Sequence, residues 1–332
     1  MTLADRARDP RAGRHGEAPA VGVVVCVPTF RRPEGLAATL DSLVAQTFVQ
    51  THAPPFAVVV VDNDPVARQG EAMARAYLAD GRLSGLTAVE PRQGNCHAIN
   101  TAFGTALAAY PAARFLLMLD DDEVATSEWL DRMVETALRT GVGIVGGPVM
   151  PRLAPGTRPG LAGHPAFRPA YAQSGPVPVI YGSGNCLIGR ETFARLGLPA
   201  FDVTFNFLGG GDTDFFVRAR RAGVRFHWVA EARISETVPP VRTTLRWLAA
   251  RGLRIGAINY RIERKHAPGP GGGVAIGLKS LLLLPASLLR AVRVLAGVRD
   301  PVIALHPVLV ALGRCLACAG IEPQPYRVRP KR

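Results

Sequence analysis

Val21-Gly22-Val23-Val24-Val25-Cys26-Val27-Pro28-Thr29-Phe30-Arg31-Arg32-Pro33 decides how this chain is read. The apolar positions run consecutively, are mostly β-branched, and stop at Pro28. Consecutive apolar residues point to both faces of a strand, so this strand needs cover on both sides, as in a parallel sheet. Two further stretches repeat the pattern. Phe56–Val61 ends in Asp62-Asn63-Asp64-Pro65, and Phe115–Leu119 ends in Asp120-Asp121-Asp122-Glu123. Gly141–Val149, with Ile144 and Val145, is a weaker fourth. Helical spacings lie between them: Leu36, Leu40, Leu43 and Val44 behind Pro33, then Met73, Tyr77 and Leu78, then Ala98, Ala102, Leu107 and Ala108. This alternation predicts an α/β fold with a doubly wound, mostly parallel sheet and right-handed crossovers.

Residues 151–178 are rich in Pro and Gly and read as a long loop, the kind that often covers a site. Ordered structure resumes over Val179–Leu187. Arg190–Leu196 reads as a helix, Thr213–Ala222 as a helix with Phe215, Phe216 and Val217 inward, Arg225–Val229 as a short strand, and Thr243–Lys265 as a basic helix. Ala267–Gly273 is a Gly/Pro hinge before an apolar appendix. The expected division is a disordered basic segment over 1–20, a catalytic domain over 21–266, and a basic, apolar helical region over 267–332.

With 332 residues, 48% hydrophobic and 20% charged, the chain can bury a sizeable core. Val21–Val27 is short for a signal-peptide core and runs into Pro28 without a small-residue cleavage site, so the expectation is a non-secreted protein. The five cysteines (26, 96, 186, 315 and 318) are odd in number and scattered, which fits a reducing compartment. Cys315 and Cys318 form one CxxC pair in an apolar stretch with no second pair or nearby His, so a buried helix position is expected there ahead of a redox or metal role.

Charge divides the chain. Residues 1–217 carry a net −3, whereas 218–332 carry +16 from 21 Lys and Arg against Glu231, Glu236, Glu263, Asp300 and Glu322. Such a basic half suits nucleic acid, an acidic substrate or anionic lipid. No aromatic-interleaved RNA motif accompanies it, and a nucleic-acid partner would leave the acidic clusters unexplained.

Those clusters sit where an open parallel sheet binds ligands, beyond the carboxyl ends of its strands. Pro28-Thr29-Phe30-Arg31-Arg32, Asp62-Asn63-Asp64 and Asp120-Asp121-Asp122 each follow a strand. Three adjacent carboxylates repel one another unless solvent or a cation relieves them, and Mg²⁺ held jointly with substrate phosphates suits such a turn. Neither a Walker loop nor GxGxxG follows the first strand, which removes the main support for P-loop and dinucleotide readings. Phosphate would then be held by metal and Arg instead of a glycine cradle. A nucleotidyltransferase also uses carboxylates and Mg²⁺, but Arg31-Arg32-Pro33 is a poor version of the loop it would need.

Taken together, Val25–Pro33, the Asp62 turn and Asp120-x-Asp122 resemble the large inverting glycosyltransferase family 2 with the GT-A fold. Gly209-Gly210-Gly211-Asp212-Thr213-Asp214 is similar to its Gly-Gly-Glu-Asp segment, and Thr243-Thr244-Leu245-Arg246-Trp247 to its QxxRW motif. The resemblance spans about residues 20–265 and is strongest to bacterial enzymes that extend lipid-linked exopolysaccharide precursors of the succinoglycan type. It implies a UDP-type nucleotide-sugar donor, a divalent metal (Mg or Mn), and a glycan or lipid-linked acceptor. Position by position, it implies donor contacts from Pro28, Thr29, Arg31, Asp62, Asn63, Gly94, Asn100, Asp120 and Asp121. Asp122 and Asp120 would serve the metal, and Asp212 would deprotonate the acceptor. Arg246 and Trp247 would hold the diphosphate and line the acceptor channel, with Asp214 a further candidate there. Tyr181–Cys186, with Gly182 and Asn185, reads from its own residues either as a backbone-rich acceptor wall or as a strand entry with turn residues. Three departures stand out: Gly211 for the family's Glu, Thr243 for its Gln, and Ala98-Ile99-Asn100 for its Ala-Arg-Asn. The missing Arg leaves Arg31, Arg32 or Arg92 to compensate.

The chemistry stands apart from the family. Sugar transfer passes through an oxocarbenium-like state as a diphosphate leaves. It needs positive charge on the leaving group and a base on the attacking hydroxyl. Asp120/Asp122 and Asp212 supply both from separate elements, although Asp212 also suits a helix N-cap. His97, His164 and His227 lack ligand spacing. In the appendix, Leu278, Leu281–Leu284, Leu288, Leu289, Val292 and Leu295 alternate with Lys279, Arg290 and Arg293, and a second apolar stretch runs Val302–Cys318. A spanning helix needs about 20 apolar residues. Charge and Pro are expected to interrupt these stretches first, which favours helices lying on the cytoplasmic face of the inner membrane over a soluble hairpin packed on the catalytic domain, with re-entrant or spanning insertion left open.

Overall fold

The computed structural model describes residues 21–52, 54–298 and 300–325. The disorder expected over 1–20 lies outside them, as does the end of the appendix.

The first half alternates as its sequence pattern predicts: β1 (Val23–Thr29), α1 (Pro33–Val44), β2 (Phe56–Asp62), α2 (Gln69–Ala79), β3 (Gly85–Val89), α3 (Asn95–Ala109) and β4 (Phe115–Met118). There follow β5 (Glu123–Ala125), α4 (Trp129–Thr140), β6 (Ile144–Gly146), β7 (Val149–Arg152), β8 (Gly175–Val177) and β9 (Cys186–Gly189). Next come α5 (Arg190–Leu196), α6 (Gly211–Arg221), β10 (Phe226–Trp228), β11 (Ile234–Thr237), and helices α7 (Leu245–His266), α8 (Gly269–Val298) and α9 (Pro301–Cys318). The main sheet has the order β3-β2-β1-β4-β9-β6-β10-β8. Its β3-β2-β1-β4 half and the β6–β10 pair are parallel, while β9 and β8 run antiparallel to their neighbours. A small sheet, β5-β11-β7, flanks it. The fold is the expected doubly wound α/β architecture with a mostly parallel sheet, followed by a helical appendix.

Each central strand feeds two cores. Val24 and Cys26 join Phe103, Phe201 and Phe215 on one side, while Val23, Val25 and Val27 join Leu36, Leu40 and Trp129 on the other. This two-sided burial is why the strand runs are continuous.

The structure corrects the appendix. Pro285 and Pro307 lie inside α8 and α9 and end neither helix. A helix held by packing can lose one backbone hydrogen bond at Pro and kink without stopping. Most of the expected hinge, from Gly269 on, is also helical. As a result α8 (30 residues, mean hydropathy 1.8) and α9 (18 residues, 1.7) are both long and apolar enough to cross a membrane. Helix α9 docks on α7 backbone to backbone. A Cβ on Gly256 would meet the Val310 carbonyl oxygen at 2.1 Å, and one on Gly313 would meet that of Leu253 at 2.0 Å. Small residues let helices approach this closely. Cys315 and Cys318 are free thiols on α9, but not buried as expected, since Cys315 is half-buried and Cys318 exposed.

Candidate active site

From β1 the chain moves to β2 and β3 on one side, then returns through α3 to β4 on the other. The carboxyl ends of β1 and β4 therefore flank the reversal point where such sheets bind ligands. Asp121 is buried there and joins the two loops. It accepts hydrogen bonds from Thr29 Oγ1 (2.8 Å), the Phe30 amide (3.2 Å) and Arg32 Nη1 (3.0 Å). The same Arg32 nitrogen reaches Asp122 at 2.7 Å. Buried Glu123 accepts the Asp120 amide at 2.8 Å. Burial, then mutual repulsion, raises the carboxyl pKa of both Asp120 and Glu123. Unpaired carboxylates in such a place cost several kcal/mol each unless they hold a proton or meet a cation.

Asp212 approaches from another element. Gly209 and Gly210 take positive φ (86° and 90°), and the turn they make starts α6 at Gly211. The N-cap is Gly210 without a side-chain bond, so Asp212 lies in the first turn and is not the cap. Burial raises its pKa, partly offset by hydrogen bonds from Thr213 and by the charge of Arg251. A side chain at Gly211, where the resemblance expects Glu, would crowd Cys96, whose Sγ stands 2.7 Å from the place of a Cβ.

Both carboxylate groups open into one cavity of about 1700 Å³. Its side wall comes from residues 160–170 of the Pro/Gly-rich segment, which holds β8 and a short 3₁₀ turn. Phe167 of that wall stacks on Trp247 of α7, centroids 6.2 Å apart and planes at 9°. Glu236 and Arg242 pair across the rim.

Of the expected site residues, Pro28, Thr29, Asn63, Gly94, Asp120, Asp121, Asp122, Gly182, Asp212 and Trp247 line this cavity. Six others face elsewhere. Asp62 does not present its carboxylate to a ligand, because it accepts the amides of Asp64 (2.9 Å) and Glu71 (3.0 Å) and so shapes the turn into α2. Asn63 beside it reaches the cavity and receives the Gly94 amide at 2.8 Å. Asn100 is tied to the Phe201 backbone in both directions at 2.8 Å. Asn185 is buried between Trp129, Pro148 and Ala232. Asp214 is buried and pairs with Arg218 and Lys265. Arg31 pairs with Asp64 at 2.6 Å, and Arg92 with Glu90 at 2.8 Å, which leaves Arg32 as the compensating arginine on the rim. Ile99, at the position of the family's Arg, is a core residue. Arg246 is exposed outside the cavity, whose α7 wall is Trp247, Arg251, Arg254 and Ile258. That spacing (i, i+4, i+7, i+11) is one helix face, and its phase could have identified Arg251 and Arg254 from sequence.

Among the described residues, no three Asp, Glu, His or Cys side chains converge to hold a metal by themselves. The rim nevertheless fits a cation that takes few protein oxygens and completes its shell from phosphates and water, as Mg²⁺ does. Asp120 and Asp122 would hold it, with Arg32 sharing Asp122.

Residues 24–196, about half of the chain, match the sequence pattern described as Glycosyl transferase family 2. The chain belongs to glycosyl transferase family 2. A family relative, the succinoglycan biosynthesis protein ExoM of Rhizobium meliloti (strain 1021), is 33% identical over 277 residues, 81% of this chain and 84% of ExoM. The O-antigen biosynthesis protein RfbC of Myxococcus xanthus is 31% identical over 232 residues, 64% of this chain but 17% of RfbC. Among solved structures, the mannosyltransferase PcManGT from Pyrobaculum calidifontis, in complex with GDP-Man and Mn²⁺, aligns with a TM-score of 0.57 at 20% identity, covering 90% of this chain and 89% of its own. S. aureus TarS 1–349 aligns at 0.54 and 14% identity, covering 90% and 92%. At these identities the structural likeness speaks to the fold. The family and the fold together make this protein a glycosyltransferase, which sets aside both nucleotidyl transfer and a purely binding role.

Proposed function

We propose that this glycosyltransferase moves a sugar, with inversion, from a UDP-type nucleotide-sugar to a lipid-linked glycan in cell-surface polysaccharide synthesis. The observation that carries the reading is one cavity entered from two elements, by the Asp120–Asp122 rim at the strand ends and by Asp212 at the start of α6. In this reading Thr29, Asn63 and Gly94 border the nucleotide, and Asp120 and Asp122 border its diphosphate. A divalent cation bound there would neutralise the leaving diphosphate. Asp212 takes the proton from the acceptor hydroxyl as the new C–O bond forms and the bond to the diphosphate breaks, and its raised pKa suits a base. Trp247 and Phe167 of the 160–170 wall give the acceptor sugar an aromatic flank.

Identity to ExoM supports an exopolysaccharide setting, and the outward apolar face of α8 supports contact with a membrane surface, which this reading puts on the cytoplasmic side. Residues 21–266 are then the catalytic unit and 267–332 the membrane-facing one. A panel of nucleotide-sugars with Mn²⁺ tests the donor: release of UDP with sugar transfer is expected. Failure of every nucleotide-sugar to bind or react would refute the assignment.

A further inference from the structure

The two ends of the cavity differ in chemistry. The strand-end half is acidic, with Asp120, Asp122, Asp212 and Glu236 along it. The half built by α7, α8 and α9 has no acidic lining residue among those described, and Arg251, Arg254, Arg290 and Arg314 all border it. Arg314 is 5% exposed in its side chain and is paired with Glu263 at 2.8 Å. His306 on α9 adds a buried Nδ1 with no hydrogen-bond partner among the described residues. Its ring stands edge-on to His164 of the side wall, 5.0 Å away.

Apolar residues stand among these cations. Leu283, Val294 and Val298 of α8 and Ile303 and Val310 of α9 line the same space. Arg290 falls in phase with Leu283, Val294 and Val298, so α8 gives the cavity an apolar stripe with one charge. Its other face is apolar as well, with Leu281, Leu282, Leu288 and Leu289 56–71% exposed. Cations in an apolar trough that adjoins an exposed apolar surface match a ligand with an anionic head and a hydrocarbon tail. A free anion would use the cations and leave the trough unexplained.

We infer that the α7–α9 half of the cavity is a subsite for a phosphate-bearing amphiphile, with the phosphates at Arg290, Arg254 and His306 and the chain along α8 and α9. This subsite rests on the reading of the enzyme as one with a lipid-linked acceptor, and it assigns the phosphate of that acceptor a place separate from the donor diphosphate.

The test is calorimetric titration of the full chain with farnesyl diphosphate, inorganic diphosphate and farnesol, in the presence of saturating UDP and Mn²⁺. Farnesyl diphosphate is expected to bind without displacing UDP. Arg290→Gln and His306→Ala should each weaken it at least tenfold and leave UDP affinity unchanged. Arg290 is exposed, so its variant should fold. Displacement by UDP, or unaltered binding in both variants, overturns the subsite. Inorganic diphosphate binding as tightly reduces it to a free-anion pocket, and farnesol binding as tightly reduces it to a greasy groove. Either result overturns the assignment. If farnesyl diphosphate binds in an Arg290-dependent way but UDP does not bind, the subsite stands and the donor reading fails.

Discussion

Replacing Asp212 by Asn separates the base from the helix. The substitution keeps the shape of the side chain, and Gly210, not Asp212, caps α6 without a side-chain bond. Because burial disfavours the ionised carboxylate in the folded chain, removing its charge should leave Tm unchanged or slightly raised, even though a favourable first-turn charge goes with it. Loss of a general base slows turnover by about 10²–10⁴-fold, or roughly 2.7–5.4 kcal/mol of barrier at 1.36 kcal/mol per tenfold. Burial raises the Asp212 pKa, so the acid limb of kcat/KM should lie above the ordinary carboxylate range and vanish in the variant. The assay is UDP release against pH, with UDP affinity and Tm measured on the same samples. A rate within tenfold of the parent, or an acid limb that survives the substitution, would refute the role.

Asp122→Ala should abolish metal-dependent UDP binding with the fold intact, read by titration with and without EDTA. The raised pKa values of Asp120 and Glu123 mean that the folded chain holds protons the unfolded chain releases. Their contribution to stability therefore falls as pH rises above about 4 toward the folded values. Asp120→Asn should accordingly gain Tm relative to the parent between pH 5 and pH 8, and an unchanged difference would count against the buried pair. Gly256→Val puts a side chain 2.1 Å from the Val310 carbonyl oxygen, so it should cost about 1–3 kcal/mol and impair farnesyl diphosphate binding more than UDP binding. Leu282→Glu with Leu289→Glu, at positions 71% and 65% exposed, should alter stability by less than about 1 kcal/mol and prevent co-sedimentation with anionic vesicles.

Central strands were legible because Val23–Val27, Val58–Val61 and Leu116–Met118 must be apolar on both faces, a demand that leaves a continuous run. The edge strand β3, Gly85–Val89, is half-buried and carries no such run, and β5, β9 and β11 are three or four residues long, too short for any period. At the site, the Asp120–Asp122 turn and Asp212 could be located because their density or motif placed them at strand and helix ends. What the residues could not disclose was direction. Asp62, Asn185 and Asp214 occupy motif positions yet spend their polar atoms on backbone amides, carbonyls or ion pairs. A carboxylate that shapes a turn and one that meets a ligand have the same letter. Beyond Arg251 and Arg254, whose helix phase was readable, the basic half of the cavity was hidden for another reason, since Arg290 and Arg314 reach it from helices distant in sequence.

Helices that touch backbone to backbone at Gly256 and Gly313 cannot roll or slide without first separating. The pair α7–α9 is therefore a rigid strut, anchored at one end in the wall that holds Trp247. Through α9, on which α8 packs, this strut sets the height of Asp212 above any surface on which α8 rests. Under the proposed reading, a lipid-linked glycan would present its terminal hydroxyl to Asp212 only when its own length matches that height. Discrimination by chain length then needs no dedicated side chain.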